Sequence, residues 1–229
     1  MHIGRRIVKN LRPNIPMITS TNILLFILAY LLGSIPTAVW IGKIFYNKDV
    51  REYGSKNAGA SNTFRILGIK AGIPVLIIDI LKGYAAVNLA HFSTIAETQN
   101  ENFVIIQLFF GIAGVIGHIF PIYAGFRGGK GVATLLGFVI AIHPFAALIS
   151  VGIFVLCLIK SRYVSLSSML AGITFPITLI LIFKITTISL ALFSILVAIL
   201  IIITHKNNIG RLLRKEELKA NIFRNKKEK

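Results

Sequence analysis

The sequence predicts an all-α polytopic membrane protein with seven transmembrane helices, several of them short or broken, N-terminus out and C-terminus in. Three observations carry this expectation. Of 229 residues, 55% are hydrophobic and only 14% charged, with a mean hydropathy of +0.78, too little polar surface for a water-soluble domain of this size. Apolar stretches run over 20–46, 70–92, 103–123, 132–159, 164–183 and 185–204, each of the about 20 residues or more that a crossing helix needs. Finally, the cations gather between and after these stretches, the pattern of positively charged cytoplasmic loops.

The first 16 residues hold Arg5, Arg6, Lys9 and Arg12. No small-residue cleavage site follows the next apolar run, so that run reads as a retained span and not as a cleaved signal peptide. The fourth apolar stretch is too long for one simple span and is interrupted by His143-Pro144. Proline removes an amide donor and disfavours helix at the residue before it, which predicts two helices, 132–142 and 144–159, joined by a tight turn. Both halves are short, so tilt or local bilayer thinning has to accommodate them.

Charge parity agrees with that split. The loop 47–70 carries Lys48, Arg51, Lys56, Arg65 and Lys70, whereas 93–102 has Glu97 and Glu101 with no Lys or Arg. The first belongs inside and the second outside. Seven spans also place Lys160 and Arg162 inside, together with the tail cations Lys206, Arg211, Arg214, Lys215, Lys219, Arg224, Lys226, Lys227 and Lys229. Six would put the tail outside. The four cations near the N-terminus then lie outside, against the rule. The expected organisation is a basic extension (1–16), one transmembrane domain (17–205) and a basic cytoplasmic tail (206–229). No loop is long enough for a soluble domain.

The formal charge is +17, from 25 Lys and Arg against 8 Asp and Glu. Because the cations flank apolar spans, anionic lipid headgroups are the expected partners and nucleic acid is not. Cys157 is the single cysteine, set inside an apolar run, so the chain has no internal disulfide and this residue reads as a small hydrophobe.

Four polar clusters, 54–65, 117–131, 160–168 and 204–217, fall on one side of this map. Gly54-Ser-Lys-Asn-Ala-Gly-Ala-Ser-Asn62 with Arg65 offers small donors beside cations; alone it reads as a solvated turn into a helix capped by Asn62. Asp79 and Lys82 share a helix face at i,i+3 inside an apolar span, where an anchoring ion pair and a functional role are both open. Gly117-His-Ile-Phe-Pro-Ile-Tyr-Ala-Gly-Phe-Arg-Gly-Gly-Lys-Gly131 collects glycine amides beside Arg127 and Lys130. That is a setting for an anion, most naturally a phosphate.

It is not a Walker A loop: Ala124 stands five before Gly129, and Gly131 follows Lys130 where Ser or Thr belongs. His118 reads as a residue that caps or orients the turn. Ser165 to Ser168, and Thr204-His205-Lys-Asn-Asn208, complete the set; His205 and Asn208 can share one helix face. Together the clusters describe a site for two anionic groups, with no acidic pair, metal-ligand set or cysteine nucleophile. No metal and no cofactor are expected.

At this point the residues resemble a known family, the bacterial acyl-phosphate:glycerol-3-phosphate acyltransferases of the membrane. The resemblance runs from Gly33 onward through Gly33-Ser-Ile-Pro-Thr-Ala38, Asp49-Val-Arg51, Gly54 to Asn62 and Asp79-Ile-Leu-Lys-Gly83. It continues through Gly117-His-Ile-Phe-Pro121, Phe126 to Thr134, Arg162-Tyr-Val-Ser-Leu166, His205-Lys-Asn-Asn-Ile209 and Arg211-Leu212. It implies a seven-helix enzyme of the bacterial cytoplasmic (inner) membrane, with its motifs facing the cytoplasm. Fatty acyl would pass from acyl-phosphate to the 1-hydroxyl of glycerol 3-phosphate, giving lysophosphatidic acid and phosphate in the first step of phospholipid synthesis. Membrane lipids, and the enzyme supplying acyl-phosphate, are further candidate partners.

By matching position, Arg65, Lys130, Ser168, His205 and Asn208 would line the glycerol 3-phosphate pocket. Ser55, Lys56, Asn57, Ser61 and Asn62, with Gly128, Gly129 and Gly131, would surround the donor's phosphate. The chain departs from the family's pattern at Lys56, where Gly is usual, at Ser61, where Thr is usual, and at Lys215, where Gly is often found before the acidic position Glu217. No His-x4-Asp pair of the soluble acyltransferases is present, since Ala96, Tyr123, Leu148 and Gly210 stand five after His91, His118, His143 and His205. The leaving phosphate as proton acceptor, favoured by the resemblance, and His205 as general base are both carried forward. An anion transporter would need an inverted repeat, and none is visible. A metal-dependent headgroup transferase would need several intramembrane acids, and Asp79 is the only one within a span.

Overall fold

The computed structural model describes residues 17–96 and 101–220. The expected extension 1–16, Glu97 and the last nine residues lie outside them. The described residues form ten helices: α1 Ser20–Gly33, α2 Thr37–Tyr46, α3 Ala60–Leu67, α4 Ile69–Asn88, α5 Glu101–Ile119, α6 Val132–Ile142, α7 Pro144–Ser161, α8 Val164–Ile177, α9 Ile188–Thr204 and α10 Lys206–Leu213. Four helical segments are long and apolar enough to cross a membrane, or six if the bent pairs α1–α2 and α9–α10 each count as one span. In lipid every backbone group must be satisfied within the protein, which is why an apolar chain of this kind is helical.

The break at His143-Pro144 falls where the sequence placed it. Pro144 opens α7, and the His143 side chain accepts from the Ala146 amide at 3.1 Å, capping the helix. The stretch 20–46, read as one apolar run, is broken too. Ser34-Ile35-Pro36 interrupts it with a 41° bend, and the carbonyl of Ile35 is left available to a side chain. The physical cause is the same, since Pro36 cannot donate back into α1. At the far end, α9 and α10 meet at 58° around His205.

α4 is the central helix and packs on α6, α5, α1 and α3. Small residues let the backbones approach: Gly83 lies against the Thr134 carbonyl and Gly137 against that of Ile80, where any Cβ would overlap the neighbour. This is how helices associate in lipid, where burying Leu side chains against one another gains little. One apolar cluster joins α5 to α9 through Phe138, Phe175, Leu179 and Phe193, with the Phe138 and Phe193 rings 4.5 Å apart. A second joins α1, α4 and α5 through Ala29, Ala86 and Phe110. Large apolar side chains also face outward, among them Leu24, Leu148, Leu181 and Leu196, as lipid-facing surfaces require.

Candidate active site

The polar clusters meet at one end of the bundle. The loop between α2 and α3 is built first by Asp49. Its carboxylate accepts from the Arg51 amide at 3.0 Å and takes the Arg51 guanidinium side-on, Nε at 2.9 Å and Nη2 at 2.7 Å. Arg51 in turn donates to the Ala124 carbonyl at 2.8 Å, which ties this loop to the start of the glycine loop. The paired guanidinium holds Asp49 well below the usual carboxylate range, against the opposing effect of burial.

Asn62 was expected as a helix cap and a phosphate ligand; the structure gives it another place. Gly59 is the N-cap of α3, while Asn62 lies inside the helix, 1% exposed. Its Oδ1 accepts from the Ser55 amide at 3.0 Å, and its Nδ2 donates to the carbonyls of Val50 and Tyr53 at 2.8 and 3.1 Å. The amide is fully used in shaping the loop. Lys56 sits at φ +57, the left-handed region that favours glycine, so a lysine holds a turn whose backbone suits Gly. Ser55 and Asn57 are half-buried, and Lys56 and Ser61 are exposed. Ser61 and Arg65 stand one turn apart on α3. Arg65 is half-buried and pairs with no carboxylate among the described residues.

The glycine loop also differs from expectation. The amides of Gly128 and Gly129 donate to the carbonyls of Ile119 and His118, at 3.2 Å each. They satisfy the C-terminal end of α5, so both amides already have partners within the protein. Both are glycines because of close approach: a Cβ on Gly128 would run into the His118 carbonyl, and one on Gly129 into the His118 ring. The Ala58 carbonyl also lies against Gly129, bringing the first loop onto the second. Gly131, at φ +78, is the N-cap of α6 and supplies no side-chain cap. The first amides of α6 therefore keep the anion-binding capacity of a helix N-terminus.

Lys130 lies between these. Its Nζ donates to Asn208 Oδ1 on α10. The Asn208 Nδ2 donates to Glu217 Oε1 at 2.6 Å, Ser165 Oγ donates to the same oxygen at 2.8 Å, and Arg211 Nε donates to Glu217 Oε2 at 2.7 Å. The segment after α10 folds back, with the Ala220 amide donating to the Arg162 carbonyl at 2.7 Å. Residues 206–220 thus contribute side chains to the same site as Lys130.

Ser168, one turn beyond Ser165 on α8, is buried and donates to the Val164 carbonyl. His205 is 3% exposed, and its Nδ1 lies 2.8 Å from the Ile201 carbonyl. A carbonyl only accepts, so Nδ1 carries the hydrogen, and in the neutral ring Nε2 is then an acceptor.

Burial pushes Lys130 down to about 8, with Glu217 opposing that shift and Arg211 and Arg65 adding to it. Burial also lowers Arg65, again with Glu217 opposing and Arg211 adding. Glu217 is held below its ordinary value; burial works against this and is outweighed by the hydrogen bonds from Asn208, Arg211 and Ser165. Arg211 pairs with Glu217 while Lys130 and Arg65 feel only its longer-range field, a cation excess suited to a second anion.

Of the residues expected from the sequence, the structure brings together Lys130, Asn208 and His205, with Arg65 in their electrostatic range. Glu217, Arg211, Ser165 and the Asp49–Arg51 clamp were not assigned a role. Adjacent acids, Glu216 and Glu217, within a tail otherwise dominated by cations were the available signal for the first.

Fold and site define a class: a multi-pass membrane protein with a cation-rich polar site, built on loops at one end of a helical bundle. The particular family is reached by comparison. The chain belongs to the glycerol-3-phosphate acyltransferase family, whose profile matches residues 23–215. A glycerol-3-phosphate acyltransferase of Enterococcus faecalis is 44% identical over 197 residues, 83% of this chain and 88% of that protein. Glycerol-3-phosphate acyltransferase 2 of Bacillus anthracis is 45% identical over 198 residues, 86% and 98% of the two chains. Crystal structures of PlsY (YgiH), an integral membrane glycerol 3-phosphate acyltransferase, superpose on it. The glycerol 3-phosphate form gives a TM-score of 0.78 at 37% identity, and the lysophosphatidic acid form 0.73 at 36%; each covers 88% of this chain and 96% of the other. The chain is an acyltransferase, as the resemblance implied.

Proposed function

We propose that this chain transfers a fatty acyl group from acyl-phosphate to the 1-hydroxyl of glycerol 3-phosphate, releasing lysophosphatidic acid and inorganic phosphate. It does so at the cytoplasmic face of the bacterial inner membrane, from a seven-span topology with the N-terminus out. The observation that carries this reading is the gathering of Lys130, Arg65 and Arg211 around Asn208 and Glu217 at one end of an apolar bundle. Relatives named for the acceptor, and a neighbour in a glycerol 3-phosphate form, support the acceptor's identity.

Lys130 and Arg65 neutralise the acceptor's phosphate and orient its hydroxyl, so positioning supplies much of the rate. Ser168, His205 and Asn208 line the same pocket. The donor's phosphate meets Ser55, Lys56, Asn57 and Ser61 and the uncapped start of α6 at Gly131. Gly128, Gly129 and Asn62 hold that surface in shape. The acceptor oxygen attacks the acyl carbon, the bond from that carbon to the phosphate oxygen breaks, and donors facing the developing oxyanion stabilise the intermediate. The leaving phosphate takes the proton. A His205→Ala enzyme therefore keeps turnover at saturating substrate, whereas general-base catalysis by Nε2 requires a loss of about 10²-fold or more.

The deciding assay gives full-length protein in lipid vesicles acyl-phosphate and labelled glycerol 3-phosphate, with acyl-CoA and acyl carrier protein as competing donors. Labelled lysophosphatidic acid from acyl-phosphate is expected. Product from acyl-CoA or acyl carrier protein alone would overturn the donor, and no product from any donor would overturn the reading as a whole.

A further inference from the structure

Beneath the glycine loop, inside the apolar bundle, lies a polar unit that the transfer step does not use. Asp79 and Lys82, one turn apart on α4, are 2.9 Å apart with side chains 2% and 4% exposed. Among the described residues this is the one Lys or Arg pair with a carboxylate in which both side chains are under 5% exposed. Lys82 Nζ reaches across to the Ile35 carbonyl at 2.9 Å, the acceptor freed by the break before Pro36. Asp79 faces His118 on α5, with Oδ1 3.7 Å from Nδ1, and Thr134 on α6 meets the same nitrogen at 3.0 Å. No hydrogen-bond donor among the described residues reaches Asp79 Oδ2.

Stability does not account for such a unit, because a buried ion pair is commonly no better than apolar residues of the same size. These helices also have an apolar means of association, at the contacts of Gly83 with Thr134 and Gly137 with Ile80. What the unit touches is informative. His118 is the residue whose carbonyl receives the Gly129 amide, and its ring packs directly on Gly129. The next residue is Lys130. The Thr134 hydroxyl, 3.0 Å from Nδ1, and the Asp79 carboxylate beside the same ring edge therefore orient the imidazole on which the loop rests.

We propose that Asp79, Lys82 and His118 are positioning residues for acyl transfer, a buried unit that holds the loop 125–131 so that Lys130 points into the anion site. The proposal rests on the reading of Lys130 as a ligand of the acceptor's phosphate. It assigns the dry pair a task of geometry: α1, α4, α5 and α6 are referenced to one another at the point where the loop is hung.

The test uses the full chain in lipid as wild type, Thr134→Val, Thr134→Ser and the neutralised pair Asp79→Asn with Lys82→Met, which leaves no bare charge. Two readouts are taken: hydrogen exchange of the segment 125–131 against 188–204, and the separate KM values for glycerol 3-phosphate and acyl-phosphate. In Thr134→Val and in the neutralised pair, exchange in 125–131 quickens and KM for glycerol 3-phosphate rises, each by about tenfold, while 188–204 and the donor KM stay at wild-type values. Thr134→Ser restores both. Unchanged exchange in 125–131, or equal quickening across 188–204, overturns the proposal. A wild-type protein that acylates nothing refutes the functional reading instead, and the exchange arm still decides whether the unit holds the loop.

Discussion

Two ion-pair systems lie on either side of the glycine loop, and they are built on opposite plans. The inner one, Asp79 with Lys82, joins residues one turn apart on a single helix and is dry on all sides. The outer one, Glu217 with Arg211, draws its further partners from α8 and α10, and Arg211 is 32% exposed. A dry pair cannot exchange partners, because separation leaves an uncompensated charge in low dielectric. The outer carboxylate is shared among several donors next to water, so its cations can turn to an arriving phosphate without being stranded. On the proposed function, the difference separates what fixes the site from what serves the substrate.

Breaking the inner pair gives the largest expected effect. Lys82→Ala leaves Asp79 bare and should cost about 3–5 kcal/mol of stability, read as an early unfolding transition in thermal melts of the purified protein. If the melt is unchanged, the claim that this pair is inescapable is wrong. On the outer side, Lys130→Ala should lower kcat/KM by about 10²-fold or more with the melt close to wild type. A pH profile sharpens the same point. Lys130 is cationic below about 8 and loses its charge above it, so kcat/KM should hold on the acid side of that value and fall on the alkaline side. Lys130→Arg should remove the alkaline fall, because guanidinium stays charged.

Glu217→Gln is a smaller test of shared charge. Glu217 is the group that opposes the downward shift of Lys130, so its neutralisation should move the alkaline fall to lower pH. The lost hydrogen bonds to a charged group should cost about 1–3 kcal/mol. An unmoved profile would show that the carboxylate and Lys130 do not sense each other. The smallest expected effect is at Lys56→Gly. Relief of the left-handed backbone and the added chain entropy nearly offset, leaving a change within about 1 kcal/mol. A large loss of activity there would give the Lys56 ammonium a direct role at the donor's phosphate.

Much of this was legible in the residues. Hydropathy marked the helical bundle, and His143-Pro144 marked a break, because proline acts locally and its effect does not depend on neighbours. The equivalent signal at Pro36 was missed, since the surrounding apolar run hid a bend that needs only three residues. The loops were legible as clusters, but their internal geometry was not. A glycine marks an amide free to meet a ligand and a backbone pressed against a neighbour equally well, and only the contact of Gly129 with His118 tells the two apart. Asn62 is similar: an amide side chain suits a phosphate or three backbone groups, and the path of the chain decides. The pairings of Glu217 depend on the tail turning back, which no local pattern encodes.

The main-chain bond from Ala220 to Arg162 has a consequence for biogenesis. A chain threaded into the bilayer N-terminus first sets down Arg65 and Lys130 long before Glu217 exists to balance them. Until that segment arrives, the nascent bundle carries an unneutralised cationic mouth, attractive to anionic headgroups of the surrounding leaflet. Completion of the site therefore waits on the segment that carries Glu217, the carboxylate that opposes the lowering of Lys130 and Arg65.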